Sequence, residues 1–455
     1  MAATYGDGAG TLSSILKEFY LGPIQETLNQ ETLVVELMEK ASVDWNGRHV
    51  FIPVHTGRNA DVGFTAEGAA LPGAAVVAPV GAGQPQQTYR DLIVTAAFLY
   101  GKFAITGPAI AAAGKGSANS FVGYVDAEMT RLKDDVRNAS NRAAVSGGRV
   151  FGFLTEPNVV IPVGPGAATA FDGDAAKAAV VLAALAGADN CTVIQLDTYV
   201  AIGDVEISAV GAGELTLIGA PLALPATTGP GGQALPYALV PNAAAILAMT
   251  AAGTDFTANE PTGIYGNLAD PAHFSINRAA AAGASLRGQF LTSVADGGAG
   301  APAGNAARVA MSLDGHFQRV TDIIAADANG SEEAPDCLLV NPAQRSRLAA
   351  LLAGTVNMDI RSSGKAGHGD GGFTGFSYAG VPVKVSRHVD NGLIIHLNTK
   401  TWKMCELSPA EFADLDGSVL SRVANADAWE GFMKWYYDCV CTRPGANAIV
   451  TGLVL

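Results

Sequence analysis

The sequence predicts an α+β chain built from several packed units, and three observations lead there. The chain has 455 residues, too many for one ordinary core, so two or three packed units are expected. Apolar residues recur at helical spacing in some stretches, and short β-branched and aromatic runs fill others. Hydrophobic residues make up 49% against 15% charged, with 54 glycines; this excludes disorder and points to extended arms and loops rather than a helical bundle.

Residues 11–47 come first. Leu12, Ile15, Leu16, Phe19 and then Leu33, Val34, Leu37 and Met38 recur at helical spacing around Gly22-Pro23, which fits an amphipathic helix pair or an arm docking on a neighbour. Val50–Val54 reads as a strand, and Tyr89–Tyr100 as one longer strand. Between them about thirty residues are rich in Gly, Ala, Pro and Gln, a length uncommon inside a compact domain. A lone two-stranded arm is marginal in water. Because Phe64 and Leu71 stand out in this small-residue stretch, the surface it rests on is expected to come from another subunit.

Ser120–Val145 is the clearest helix. Phe121, Val125, Met129, Leu132 and Val136 form one stripe, and Gly147-Gly148 ends it. At 1.5 Å per residue the rod is about 39 Å long, and its single narrow stripe suits a sheet. From about 156 to 262 short β runs predict a small β-rich insertion: 192–196, 199–207 and 215–218, with 222–241 mostly loop. The α/β pattern then resumes. Val309–Ala326 reads as a helix, Cys337–Val340 as a buried strand, and Asn341-Pro342 as the start of a helix. A polar, Gly-rich loop covers 354–375, strands follow at 381–385 and 393–397, and aromatic-rich 429–440 leads through Arg443-Pro444-Gly445 to a strand at 448–450. No internal repeat is visible.

Chemistry is hard to find. Gly114-Lys115-Gly116-Ser117 lacks the first glycine and the adjacent Lys-Ser of a phosphate loop. Gly375–Gly380 is one residue too long for a nucleophile elbow. The seven histidines form no H-x-x-x-H pair; His49 and His55 are expected to face solvent and His396 to be a satisfied core residue. Asp172-Gly173-Asp174 and Asp414-Leu415-Asp416-Gly417 start like calcium loops and lack the later ligands, so they read as turns. The five cysteines read as reduced thiols, and Cys439-x-Cys441 is too close for an ordinary zinc knuckle. No catalytic residue, cofactor or metal is expected. The start of the chain lacks a signal-peptide pattern and no apolar run reaches membrane-spanning length, so a soluble protein made in the cytosol is expected. The net charge of −14 is the wrong sign for gripping phosphates; DNA, if a partner, is enclosed rather than bound.

The order of elements resembles the tailed-bacteriophage major capsid protein family, whose fold is termed HK97-like. Leu16–Tyr20 with Ile24–Leu37 looks like its N-terminal arm, and His49–Tyr100 like its extended E-loop, ending in Tyr100-Gly101-Lys102-Phe103. Phe121–Ala144, followed by Gly147-Gly148-Arg149-Val150-Phe151-Gly152, resembles the spine helix. Asp336–Leu352, Tyr378-Ala379-Gly380-Val381-Pro382-Val383 and Arg443–Ile449 match the axial strand–helix unit, the Gly-x-Pro-Val strand and the closing strand. Gly263–Leu268 resembles the segment that rejoins the fold after an inserted β domain.

The resemblance implies an N-terminal arm at 1–47, an E-loop at 48–101 and a peripheral domain at 102–155 with its spine helix at 120–145. The insertion then occupies 156–262, the peripheral domain continues through 263–334, and the axial domain spans 335–410 before closing strands at 411–455. It implies a virion shell protein, not an enzyme, assembling into hexamers and pentamers around double-stranded DNA. Portal protein, a separate scaffolding protein and a decoration protein are the expected partners, with no membrane. Expected inter-subunit contacts are Phe19, Phe64, Leu71, Arg90, Arg361, Lys365 and Asp370. No Lys lies between Arg48 and Arg90, so the covalent E-loop cross-link of some members is not expected. An encapsulin-type compartment shares this fold and would differ in cargo; a β-rich tail or adhesin protein and an enzyme are weaker alternatives.

Overall fold

The computed structural model describes residues 33–41, 43–58, 62, 64–67, 87–108, 118–154, 171–211, 215–218, 237–254, 259–292, 311–326, 335–355, 376–414, 420–424 and 426–453; side chains at 118–127, 171–172, 292, 352–355 and 376 are outside the description. The leading segment holds a four-residue helix α1 (Leu33–Glu36) and a short strand β1 (Glu39–Ala41). The helical spacing expected through Met38 therefore gives way to a strand at Glu39. Strands β2 (His49–Gly57) and β3 (Thr88–Thr95) form an antiparallel hairpin in register from His49↔Thr95 to Gly57↔Thr88.

The strand expected from Tyr89 through Tyr100 is two strands. β3 stops at Thr95, the Ala96 N–H donates to Arg48 O (3.3 Å), and β4 (Ala97–Thr106) continues in a different sheet. Ala96 and Ala97 are both buried; small side chains let the chain change sheets without a loop. Helix α2 (Ala118–Ser146) has 29 residues, about 43 Å of rod. Its Leu132 and Val136 lie against Gly101 of β4, as the stripe predicted. Gly148 adopts φ +78°, which ends the helix in the left-handed region that glycine enters without strain.

The segment expected as a small β-rich insertion carries two helices beside its strands. β5 (Gly152–Leu154), β6 (Phe171–Gly173), α3 (Ala175–Ala184), β7 (Cys191–Gln195), β8 (Ala201–Val210), β9 (Leu215–Ile218), β10 (Tyr237–Pro241) and α4 (Ala243–Ala252) follow in order. The strands form one antiparallel sheet, β6-β5-β10-β7-β8-β9. The sheet thus draws in β5, which precedes the expected boundary at 156, and β10, which falls in the stretch expected to be loop. Val181, Val193, Val205, Leu215, Leu239 and Met249 form a core between one face and the helices. Phe153, Ile194, Leu196, Ala238 and Val240 turn the other way, into the main core with Tyr265 and Phe290.

The chain rejoins through the buried helix α5 (Ile264–Ala269), the small ladder β11 (Ala272–His273) with β12 (Ile276–Asn277), a 3-10 turn at Ala281–Leu286 and β13 (Gln289–Thr292). A π-helical turn at Asp314–Gln318 leads into α6 (Arg319–Ala326). Next come β14 (Cys337–Val340), α7 (Pro342–Thr355), β15 (Phe376–Tyr378), β16 (Val381–Val385) and β17 (Ile394–Leu397). Asn341 caps α7, its Oδ1 accepting from Ala343 N at 3.0 Å. β18 (Trp402–Phe412), β19 (Ser421–Arg422), β20 (Ala428–Cys441) and β21 (Ala448–Thr451) complete the described elements.

Two further sheets result. One is β13-β21-β17-β14-β16-β15, with Leu338, Val340, Ile394 and Val450 facing α6 while Leu339, Ile395, Leu397 and Ile449 face the main core. The other is β1-β18-β20-β4 with β19 on β20, and its Met404, Met433, Trp435, Tyr437 and Cys439 close that core from the opposite side. Both-face burial explains the unbroken apolar run of β14 and the apolar residues on both sides of His396 in β17.

Candidate assembly surfaces

The buried polar groups are structural. Arg278 is fully buried with no carboxylate on its guanidinium: Nη1 donates to Asp270 O (2.8 Å), Nη2 to Asn267 O, and Nη2 meets His273 Nδ1 at 2.9 Å. It also stacks over the Tyr199 ring, 5.3 Å from its centroid. Tyr199, held at φ +58°, donates its hydroxyl to Leu268 O and accepts from Gly288 N, both at 3.0 Å, and so ties the insertion to the body. Asn267 holds β20 through Cys439 O (2.9 Å) and Cys441 N (2.8 Å).

At the other junction Glu260 takes Arg142 Nη2 at 2.7 Å and Lys177 Nζ at 3.1 Å, and Asp174 caps α3 through Ala176 N and Lys177 N. This is the turn chemistry expected of Asp172–Asp174. Burial pulls the Lys177 ammonium pKa down, against the pull of Glu260.

The remaining chemistry candidates settle the same way. His396 is sealed in the core with Nε2 against His316 O (3.0 Å), and burial lowers its pKa to about 4; contrary to the expectation of a fully satisfied ring, its Nδ1 has no hydrogen-bond partner among the described residues. His55 faces out and meets Gln87 Oε1 at 2.6 Å. The cysteines are all buried free thiols, and burial pushes Cys441 and Cys405 up to about 12. Among the described residues no group of His, Cys, Asp and Glu could hold a metal ion, and no helix is long and apolar enough to cross a membrane. Residues 109–117, with the Gly114–Ser117 stretch, and 415–419, with most of the second Asp-rich turn, lie outside the described residues.

What the surface offers instead is apolar area. The hairpin alternates cleanly: Val50, Val54, Leu92 and Val94 pack inward on Ile276, Leu286, Cys405 and Val440 of its own body. The foot of the hairpin is therefore seated within the chain, contrary to the expectation that the whole arm needs a neighbour. Its other face leaves Phe51 50% and Tyr89 66% exposed, with the exposed Ile93 directly opposite Phe51 and Tyr89 opposite His55. A second apolar area is the outer face of β4 and β20, where Phe98 is 45% and Tyr100 56% exposed. Phe98 and Tyr436 meet edge-on at 5.0 Å, and the Tyr100 and Tyr436 hydroxyls lie 3.0 Å apart; that hydrogen bond raises the Tyr100 pKa. Charges frame this face: Lys102 pairs with Glu430, and Lys434 with Glu411 at 3.2 Å. Contiguous exposed apolar area of this kind marks interaction surface.

Of the expected contact residues, Phe64 is fully exposed and Arg90 is exposed on β3 opposite Val54. Phe19, Leu71, Arg361, Lys365 and Asp370 lie outside the described residues. Phe51, Tyr89, Phe98, Tyr100 and Tyr436 were not anticipated. The alternation Phe98, Tyr100, Lys102 against Leu99, Gly101, Phe103 carried the signal, hidden by reading 89–100 as one strand.

Layered sheets, a long helix lying on one of them and outward-facing aromatic side chains define the class of fold. The fold has a solved counterpart. The chain matches a subunit of the cyanophage A-1(L) capsid asymmetric unit over 96% of both chains, with a TM-score of 0.51 and 8% identity. The capsid of a native GTA particle matches over 100% of this chain and 99% of that chain (TM-score 0.46, 10% identity). The capsid of cyanophage P-SCSP1u matches over 96% and 93% (TM-score 0.44, 8% identity). No protein-family model matches the chain, and no curated protein does. The fold is that of a phage capsid subunit.

Proposed function

We propose that this chain is a major capsid protein whose copies assemble into hexamers and pentamers and enclose double-stranded DNA in a virion shell. The observation that carries the reading is the likeness to a cyanophage capsid subunit over 96% of both chains. Fold alone does not give function; the outward aromatics at Phe51, Tyr89, Phe98 and Tyr100 supply the surface such a role needs. On this reading 1–47 is the arm, 48–101 the E-loop, 120–145 the spine of the peripheral domain and 335–410 the axial domain. Phe19, Phe64, Leu71 and Arg90 then meet sister copies, and Arg361, Lys365 and Asp370 line the capsomer centre. Portal and scaffolding proteins are the partners this reading gives such a shell, with a decoration protein as an optional addition. Several modest contacts per copy suffice, because each closes a ring of identical subunits. The acidic charge of −14 suits a wall that encloses DNA without gripping it.

Co-expression with a candidate scaffolding protein, followed by electron microscopy, is the test. Closed shells or tubes are expected, and Phe51→Ser with Ile93→Ser should abolish them while leaving circular dichroism unchanged. A chain that stays monomeric at millimolar concentration with scaffold present would sink the proposal.

A further inference from the structure

The long helix α2 ends in a way its own sequence does not provide for. The last carbonyls of a helix lack partners within it, and a cation beside them is favourable. Yet the last turn of α2 holds no basic residue, and Gly147 and Gly148 beyond it have no side chain to lend. The cation comes from Lys177 on α3, 31 residues after Ser146. Its Nζ donates to Ser146 O and to Gly148 O (3.4 Å). A second contact marks the same place. Lys177 is only 3% exposed, and an ammonium so placed needs a counter-charge. Glu260 supplies it at 3.1 Å, from the segment where the chain returns to the body, and takes Arg142 of α2 on its other oxygen at 2.7 Å. The backbones meet there as well: a Cβ on Gly263 would run into Ala143 O and Ala144 O, so only glycine permits the approach.

We propose that the inserted unit completes α2: Lys177 is a positioning residue that caps the carbonyl end of the long helix, and the last turn of α2 holds only while α3 is folded with Glu260 beside it. The inference goes beyond the shell reading and stands without it, since it gives the inserted unit a task inside its own chain. Asp174 prepares α3 for that task. It caps the start of α3 through Ala176 N (2.9 Å) and Lys177 N (3.2 Å) and so fixes the turn that carries the ammonium. Completion is then ordered. The end of α2 cannot close until the chain has run through the insertion and come back to Glu260, because the buried ammonium is tolerated only with that carboxylate in place.

Hydrogen exchange on the full-length, unassembled chain tests this. In wild type under rising urea, the amides of 143–147 and of 178–184 should open together as one unit. In Lys177→Met, and equally in Lys177→Met combined with Glu260→Gln, the amides of 143–147 should exchange roughly tenfold faster while those of 178–184 keep their protection. The double variant leaves no carboxylate stranded by the loss of the ammonium. Protection restored at 143–147 in that variant would make Lys177 a counter-ion only and overturn the cap. Exchange at 143–147 unchanged in both variants would overturn it too. Separate opening of the two stretches in wild type would do the same, and that measurement needs no variant to fold.

Discussion

Asp438 sits within β20 with its carboxyl buried, and Oδ1 accepts from Thr262 N (2.6 Å) and Cys439 N (2.7 Å). Burial dominates those two hydrogen bonds and lifts its pKa from 3.8 to about 8. The folded chain therefore holds this proton more tightly than the unfolded chain does. Stability is highest below the unfolded pKa and declines as pH rises through the folded one. Asp438→Asn keeps an acceptor for both N–H groups and removes the titration. Urea midpoints of wild type and variant should thus converge near pH 4 and diverge towards pH 8, the wild type losing at most about 1.4 kcal/mol per pH unit. Parallel curves would mean the carboxyl does not titrate in this window. Nothing in the sequence marked Asp438, Arg278 or Asn267, because their partners are mainly backbone groups brought together by the fold, across 176 residues for Asp438 with Thr262 and 172 for Asn267 with Cys439. The His396 environment was legible, since Leu393–Leu397 is apolar on both sides of it.

Elements with a clear stripe, or with an apolar run set apart from Pro and Gly, were readable, and those with neither were not. The long helix α2, the strand β14 and the helix opened by Asn341-Pro342 appear where their patterns placed them. β10 was missed because both its faces are buried, so Tyr237–Pro241 shows no alternation and sits beside Pro and Gly. α4 was missed because Ala243–Ala252 offers little contrast between faces. The join between spine and sheet depends on one absent side chain. A Cβ on Gly101 would stand 2.8 Å from both Leu132 and Val136. Gly101→Val should therefore push α2 off β4 and cost roughly 1–3 kcal/mol, read as a lower urea midpoint with an unchanged m-value. A variant as stable as wild type would show that the helix shifts freely on the sheet.

At the scale of the molecule, the order of elements was more legible than any single motif, because layered architecture tolerates wide exchange of residues while a reaction centre does not. The candidate surfaces were harder to read: an outward aromatic looks the same in sequence as a buried one until the strand boundaries are known. One expectation reaches beyond the single chain. With no Lys between Arg48 and Arg90, copies in a shell should be held by packing alone. Boiled particles should run on denaturing gels as one band of 46.3 kDa, and a ladder of covalent oligomers would contradict this.

The inserted sheet gives its helices one face and the body the other. It is thus no passenger on an otherwise finished subunit. Excising it would bare Tyr265 and Phe290, so a chain shortened by this unit would need new apolar cover over that interior wall before it could fold.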